Sequence, residues 1–466
     1  MGRIDRSAPD FAFGVETLVI GAGAAGLVAA LAARQAGQQV LVLERDTVPQ
    51  GSTALSAGLI PAAGTALQRA AGIDDDAARF AADIQRKAHH RNDPALVAAL
   101  TGHSARVIDW LCQAHDLPFS VVDGFDYPGH SLRRMHGLPG RSGRDLQDAL
   151  RQRCEALQID IVTSAQVDVL YADGDRIAGA GFLRPDGGRE TVGAGRVVLA
   201  CNGFGGNRAK VAEYLPDIAA GLWFGHDGNT GDALDWGAAL GADLCHLGAF
   251  QGHGNVAHPH GILITWATMS EGGIQVNASA QRFWNESRGY SEAARQVLAQ
   301  PGGVAWAIFD ARIAAIARQF EDFRNAEAQG AVRTAPDAQA LAGLLGLPAD
   351  ALDATLAGLS LGIDDFGRDF AGKPRLTPPL CGVRVTGALF HTQGGLRVDD
   401  RARVLDRAGR PFPNLCAAGG AACGVSGDGD DGYLSGNGLL AAVVLGFLAG
   451  QATDISGQQN QINKGV

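Results

Sequence analysis

The chain is poor in several features that announce a function at first sight. Its seven cysteines stand apart, at positions 112, 154, 201, 245, 381, 416 and 423, and no two form a CxxC pair. That excludes a recognisable disulfide framework and gives no zinc or iron–sulfur spacing, so no metal is expected. Such cysteine usage points to the reducing cytoplasm. Basic residues are not in excess: Lys and Arg total 39 against 49 Asp and Glu, a formal charge of -10 with no long block of one sign. Nucleic acid and anionic membrane surfaces are therefore poor partners. The longest apolar run, 438–450, is rich in Gly and Ala and falls short of the ~18 to 20 residues that cross a bilayer; it is expected to be a buried helix, not a membrane span. The first 16 residues are mixed and polar, with neither a secretory apolar core nor an arginine-rich amphipathic pattern, so export is not expected.

Glycine is what the chain has in abundance. There are 65 glycines in 466 residues, about twice the usual ~7%, and this points to many places where backbone turns sharply or approaches a ligand. The length allows two or three folding units with a large core. Hydrophobic spacing predicts a strand over 17–20, an Ala-rich helix over 24–37 and a second strand over 39–43, which is a βαβ unit. Helical spacing follows over 77–88, 94–111 and 143–157. From 159 to 200 the pattern shortens into β-type runs separated by DGD and PDGG turns, a meander returning to a last sheet strand. The segment 247–389 lacks strand–helix alternation and carries helical stretches around Ala311 and Ala338, which marks an inserted second domain. The expected organisation is a first part over 1–246, a capping domain over 247–389, a second part of the cofactor domain over 390–452, and a frayed tail over 453–466.

The run Val19-Ile20-Gly21-Ala22-Gly23-Ala24-Ala25-Gly26 sets GxGxxG between the strand and the helix. Its three glycines serve the tight turn (Gly21), the close approach of backbone to a pyrophosphate (Gly23) and helix–strand packing (Gly26), with helix N-terminal N–H groups facing the phosphates. Glu44 ends the next strand, near the ~20-residue spacing of a carboxylate that accepts ribose hydroxyls. This Rossmann-type pattern does not separate FAD from NAD. The following loop, Gln50-Gly51-Ser52-Thr53-Ala54-Leu55-Ser56-Ala57-Gly58, is small and hydroxyl-bearing; it suits a wrap around phosphate and flavin edges, or an ordinary surface loop.

With these pieces, and with NDPALV at 92–97, LACNGFG at 199–205, TGD at 230–232, GIQVN at 273–277, RFWNE at 282–286, HTQGG at 391–395 and LCAAG at 415–419, the chain resembles the fumarate reductase and succinate dehydrogenase flavoprotein superfamily, which includes the 3-ketosteroid dehydrogenases. The likeness runs from Leu18 to about Gly450. It implies an α/β fold in which a Rossmann-type FAD-binding domain is formed by both chain ends, with an inserted α+β capping domain and substrate between the two. It implies a cofactor set of Gly21, Gly23, Ala24, Ala25, Gly26, Glu44, Arg45, Ser52, Thr53, Ser56, Ala57, Gly58, Val167, Asn202, Gly203, Asp232, Gly419, Gly436, Asn437, Gly438 and Leu439. It also implies non-covalent FAD, since members that attach the flavin use a histidine where this chain has Ser52.

For the reacting groups the resemblance offers Arg282, in the RFxNE motif, over the substrate double bond; an ion pair with Glu286 is the alternative. It offers His391 and His253 for a carboxylate or carbonyl oxygen, with His258 competing for the place of His253. The dicarboxylate machinery is missing: Trp266 and Met269 replace the Glu and Arg of the proton relay, and GYLSGN at 432–437 replaces a segment bearing a substrate-clamping arginine. Losing that bidentate guanidinium disfavours a dicarboxylate. Instead Tyr433 and Tyr290, two of only five tyrosines, fall where ketosteroid dehydrogenases have the tyrosine that polarises the ketone and the one that abstracts the proton; each is alternatively a packing tyrosine. The expected reaction is therefore dehydrogenation alpha,beta to a ketone of 3-ketosteroid or cyclic type. Tyr433 and a backbone N–H near Gly436 hold the ketone oxygen, Tyr290 takes the α-proton with its pKa lowered by a cation such as Arg282, and hydride passes to flavin N5. Trp266, Met269, Trp284 and Phe390 are expected to form an apolar pocket. Two other readings stay open: a reductase of an activated C=C in an organic acid, and an electron-transfer flavoprotein without a substrate site. No second nucleotide fingerprint appears, so the external electron acceptor is not specified.

Overall fold

The computed structural model describes residues 2–122 and 127–451; the expected tail over 453–466 lies outside them. Two sheets organise the molecule. The larger, with nine strands, runs in the order Arg3–Asp5, Gln166–Asp173, Arg176–Leu183, Arg189–Leu199, Gly14–Ile20, Val40–Leu43, Asp160–Val162, and Pro411–Ala417 pairs onto Arg189–Leu199. Its centre is parallel: Leu199 pairs with Ile20, Ile20 with Leu43 and Leu43 with Val162. The crossover helix Ala24–Gln35 is buried over its first ten residues, because Ala and Gly along it let the C-terminal helix Asn437–Gln451 approach closely; a Cβ at Gly446 would lie 2.4 Å from the Ala25 carbonyl oxygen. The apolar run that is too short for a bilayer is this buried helix, and among the described residues no helix is long and apolar enough to cross a membrane. Both chain ends thus build one domain. The antiparallel meander Gln166–Asp173, Arg176–Leu183, Arg189–Leu199 returns to that sheet as its pattern foretells.

The second sheet has seven strands, centred on Phe250–Ala257, Leu380–Thr392 and Val304–Asp310, and carries the helices Ala311–Ala317 and Ala338–Leu345. Helix Tyr290–Leu298 packs on it through Ala293, Ala294 and Val297, all fully buried. The division between domains is less clean than the expected boundaries. Strand Leu380–Thr392 runs through residue 389, and Leu222–Trp223, well before 247, pairs in parallel with Ala388 and Leu389. The physical reason is continuity of hydrogen bonding: a ladder is not broken where composition changes.

Candidate active site

A cavity of about 560 Å³ runs between the two sheets, from the GxGxxG turn to the cap helix Glu321–Ala328. At its deep end the fold accounts for the glycines individually. Gly21 has φ +106 and a Cβ there would meet the Ala200 carbonyl oxygen at 2.5 Å; at Gly26 a Cβ would lie 1.9 Å from the Gly21 oxygen. Gly21 and Gly26 are therefore closed to any side chain, and backbone N–H groups at the start of Ala24–Gln35 border the cavity. The N–H of Ala24 donates to Thr53 Oγ1 at 2.9 Å and that of Ala22 to Glu44 Oε2 at 2.8 Å, which ties loop 50–58 and Glu44 to the helix N-terminus. The Ser52 hydroxyl accepts from Asn202 Nδ2 at 2.7 Å and Asn229 Nδ2 at 3.3 Å. Arg45 donates to the Gly228 carbonyl at 2.7 Å.

Of the expected cofactor residues, Gly21, Gly23, Ala24, Ala25, Glu44, Arg45, Ser52, Thr53, Ser56, Ala57, Val167, Asn202, Asp232, Gly419, Gly436, Gly438 and Leu439 line this cavity. Four do not, because each backs the wall. Gly26 packs on Gly21, Gly58 abuts the Ser142 carbonyl, Gly203 abuts Thr392 Oγ1, and the Asn437 amide donates to Ser426 Oγ at 3.2 Å. A groove of small residues, backbone donors and a carboxylate, closed to side chains at the turn, fits the pyrophosphate and ribose of a dinucleotide.

At the other end an aromatic wall holds the polar groups. Phe224 stacks on Phe390 at 4.5 Å between ring centroids, Phe390 on His253 at 5.2 Å, and His253 on Tyr290 at 4.9 Å; Trp266 meets His253 edge-on at 5.7 Å. Tyr290, at the start of helix Tyr290–Leu298, and Tyr433, in the loop before Asn437–Gln451, have ring centroids 6.0 Å apart. The Ser435 hydroxyl and Tyr433 face the Tyr290 phenol, and the backbone N–H groups of Gly436 and Gly438 face that of Tyr433. Burial pushes the Tyr433 phenol up to about 12 and holds Tyr290 well above its ordinary 10. His253 and His391 are both neutral, because burial lowers them to about 3 and about 4. The Asn255 backbone N–H donates to His253 Nδ1 at 3.2 Å, so the proton of that ring sits on Nε2, a donor.

Several expectations need correction. Arg282 does not line the cavity: its guanidinium donates to Glu286 at 3.0 and 2.5 Å, pairs with Asp364 and lies over the rings of Phe366 and Phe370. Glu286 also takes Arg368 at 2.9 Å, so the ion-pair alternative describes Arg282. Nor is the Tyr290 pKa lowered on balance; burial raises it, and the largest other influences come from Tyr433, Ser435 and Tyr127, not from Arg282. Among the apolar residues, Trp266 and Phe390 line the cavity, whereas Met269 and Trp284 belong to the cap core. His253 lines the cavity and His258, beyond the end of strand Phe250–Ala257, does not.

Sequence reasoning assigned no role to Ser435, Phe224 or Tyr127, all of which line the cavity. Ser435 stood in the GYLSGN segment beside Tyr433, a signal that was there to use. Tyr127 stands in a turn-rich stretch without periodicity, and only the fold brings it within electrostatic reach of Tyr290.

A family model described as an FAD binding domain matches residues 16–439. The chain belongs to this FAD-binding family. The flavoprotein is 30% identical over 93% of its length to a probable fumarate reductase of Shewanella frigidimarina (strain NCIMB 400), covering 74% of that protein. It is 27% identical to the 4-oxocyclohexanecarboxylate 2-dehydrogenase of Sinomonas cyclohexanicum, over 95% of this chain and 93% of the other. Among solved structures it is similar to the open conformation of a flavocytochrome c3 fumarate reductase, with TM-score 0.78, 29% identity and coverage of 95% of this chain and 78% of that one. It is similar also to the 3-ketosteroid-delta4-(5alpha)-dehydrogenase of Rhodococcus jostii RHA1 in complex with 4-androstene-3,17-dione, with TM-score 0.75, 25% identity, and coverage of 97% and 99%. The flavoprotein is thus an FAD-dependent oxidoreductase of the fumarate reductase and ketosteroid dehydrogenase kind.

Proposed function

We propose that this flavoprotein introduces a C=C bond alpha,beta to a ketone in a cyclic substrate, and that its FAD is held without a covalent link. The observation that carries the reading is the pair Tyr290 and Tyr433, brought from cap and cofactor domain to one aromatic-walled end of the cavity with Ser435 facing the Tyr290 phenol. Tyr433, its oxygen already facing backbone N–H groups, has its own O–H to give to a ketone oxygen. That bond acidifies the α-carbon. Tyr290, as phenolate, takes the α-proton, and the Ser435 hydroxyl stabilises the phenolate oxygen. FAD, when bound, supplies the hydride acceptor for the β-carbon. The stack of Phe224, Phe390 and His253 offers flat apolar surface to a ring and excludes water from the ionising groups. The likeness to 4-oxocyclohexanecarboxylate 2-dehydrogenase and to the ketosteroid dehydrogenase, each spanning over nine tenths of both chains, supports this reading. Ser52, held by two amides in the place of the flavin-linking histidine, supports the non-covalent cofactor.

Reduction of an unsaturated organic acid is the second reading, favoured by the 30% identity to a fumarate reductase. Against it stands the neutrality of Tyr290, Tyr433, Ser435, His253 and His391, the polar groups that share the cavity's aromatic end. The deciding experiment is anaerobic. Oxidised protein is mixed with cyclic ketones and 3-ketosteroids while flavin absorbance is followed, and chemically reduced protein is mixed with fumarate and related acids. Bleaching by a ketone is expected; recovery of colour with an acid and no response to any ketone overturns the proposal in favour of the reductase.

A further inference from the structure

His391, next to last in the strand Leu380–Thr392, stands at the cavity wall, and behind it lies a row of buried polar side chains. Asn437, Ser426 and Gln393 are 0%, 1% and 3% exposed. The Asn437 amide donates to Ser426 Oγ at 3.2 Å, Ser426 Oγ donates to Gln393 Oε1 at 3.1 Å, and Gln393 Nε2 donates to His391 Nδ1 at 2.8 Å. An amide nitrogen can only donate, so Gln393 Nε2 leaves His391 Nδ1 no role but that of acceptor. A ring whose Nδ1 accepts carries its proton on Nε2. We infer that Gln393 is a positioning residue that fixes His391 as a permanent Nε2–H donor at the cavity wall, so that the site takes a neutral oxygen acceptor such as a ketone in preference to a carboxylate. The same tautomer at His253 is set by the Asn255 backbone N–H. The two imidazoles therefore present two N–H groups and no positive charge. The preference for a ketone rests on the reading of function above; the tautomer does not.

The test uses the FAD-loaded protein labelled with 15N-histidine. Long-range proton–nitrogen spectra, with His391 assigned by its loss in His391→Gln, are expected to show a neutral ring protonated at Nε2. In Gln393→Leu the ring is expected to populate both tautomers, and kcat/KM for a cyclic ketone to fall about ten-fold, the size of one lost hydrogen bond, at unchanged flavin absorbance. Ser426→Ala removes the row one bond further back and is expected to give a smaller shift of the same kind; it carries the test where Gln393→Leu does not fold. Gln393→Glu, which sets a carboxylate against Nδ1, is expected to favour the doubly protonated, positively charged ring and so to raise reoxidation of reduced flavin by unsaturated acids relative to ketone turnover. A ring protonated at Nδ1 in the unmodified protein, or an unchanged tautomer in both Gln393→Leu and Ser426→Ala, overturns the inference. Absence of turnover with every ketone in the unmodified protein would instead overturn the functional reading and leave the tautomer result standing.

Discussion

The two ends of the cavity are built on opposite plans. The dinucleotide end is built around backbone: Gly21, Gly23 and Ala24 come from one turn, Thr53 and Glu44 are tied to that turn by hydrogen bonds, and these five lie within the first 58 residues. The aromatic end is made of side chains from distant segments, with Tyr290 from the cap helix, His253 and His391 from neighbouring strands of the cap sheet, and Tyr433 and Ser435 from the C-terminal loop. Geometry at the first end is fixed by sterics, at the second by packing and neutral hydrogen bonds. One end is therefore intolerant of volume and the other of lost polar atoms.

That contrast is broken most severely by Gly26→Val. A Cβ at this position would lie 1.9 Å from the Gly21 carbonyl oxygen, so loss of bound FAD and of folded protein is expected, read as the absence of yellow colour in the soluble fraction. Tyr290→Phe separates the two ends: FAD content and absorbance stay, while kcat for a ketone falls by about 10²- to 10⁴-fold, the range for a lost general base. Turnover within ten-fold of the unmodified protein would remove Tyr290 from the mechanism. Tyr433→Phe is expected to cost about 10²-fold, as loss of one donor to a developing oxyanion does, with stopped-flow flavin bleaching as the measurement.

Arg282→Ala sharpens the comparison from outside the cavity. The side chain is 7% exposed and pairs with Glu286 and Asp364, so its removal is expected to lower stability by about 3 to 5 kcal/mol in denaturant melts, while kcat per bound FAD changes by less than the tyrosine variants. A loss of kcat equal to that of Tyr290→Phe at unchanged stability would restore Arg282 to the site. The smallest effects are those of pH. The Tyr290 phenol is held well above 10, so kcat is expected to rise with pH through 10 without a plateau. His253 and His391 titrate at about 3 and about 4 in the folded protein against an ordinary 6.5. The unfolded chain thus binds more protons between these values, and stability falls as pH drops from 6.5 toward 4. His253→Gln is expected to flatten that slope in thermal melts.

The same contrast explains how much of the molecule could be read in advance. The βαβ unit, the meander and the closing helix were legible because each is local: period, turn residues and glycine spacing are properties of short windows. The fold class and the FAD-binding family follow from them and from the run of motifs down the chain. The residues of the aromatic end came only from resemblance, and there the errors were of one kind. Arg282 was assigned to chemistry by its motif, yet the spacing to Glu286, four residues on, already describes a local ion pair. Tyr127 was missed because nothing in its own window marks it. The lowered phenol of Tyr290 was expected from a cation that the fold places elsewhere, and burial, which no window of sequence displays, decides the direction instead.

Strand Leu380–Thr392 gives the cap a mechanical character. It pairs with Val304–Asp310 over residues 380–386 and with Phe250–Ala257 as far as Thr392, and the ring of His391 near its end is held by Gln393 and, behind it, Ser426 of the cofactor domain. All thirteen residues of this strand belong to the cap sheet, while the imidazole it carries is bonded toward the cofactor domain. A cap that swung open would carry His391 with its sheet and away from Ser426 and Asn437, so access to the cavity is coupled to the row of bonds that holds this donor.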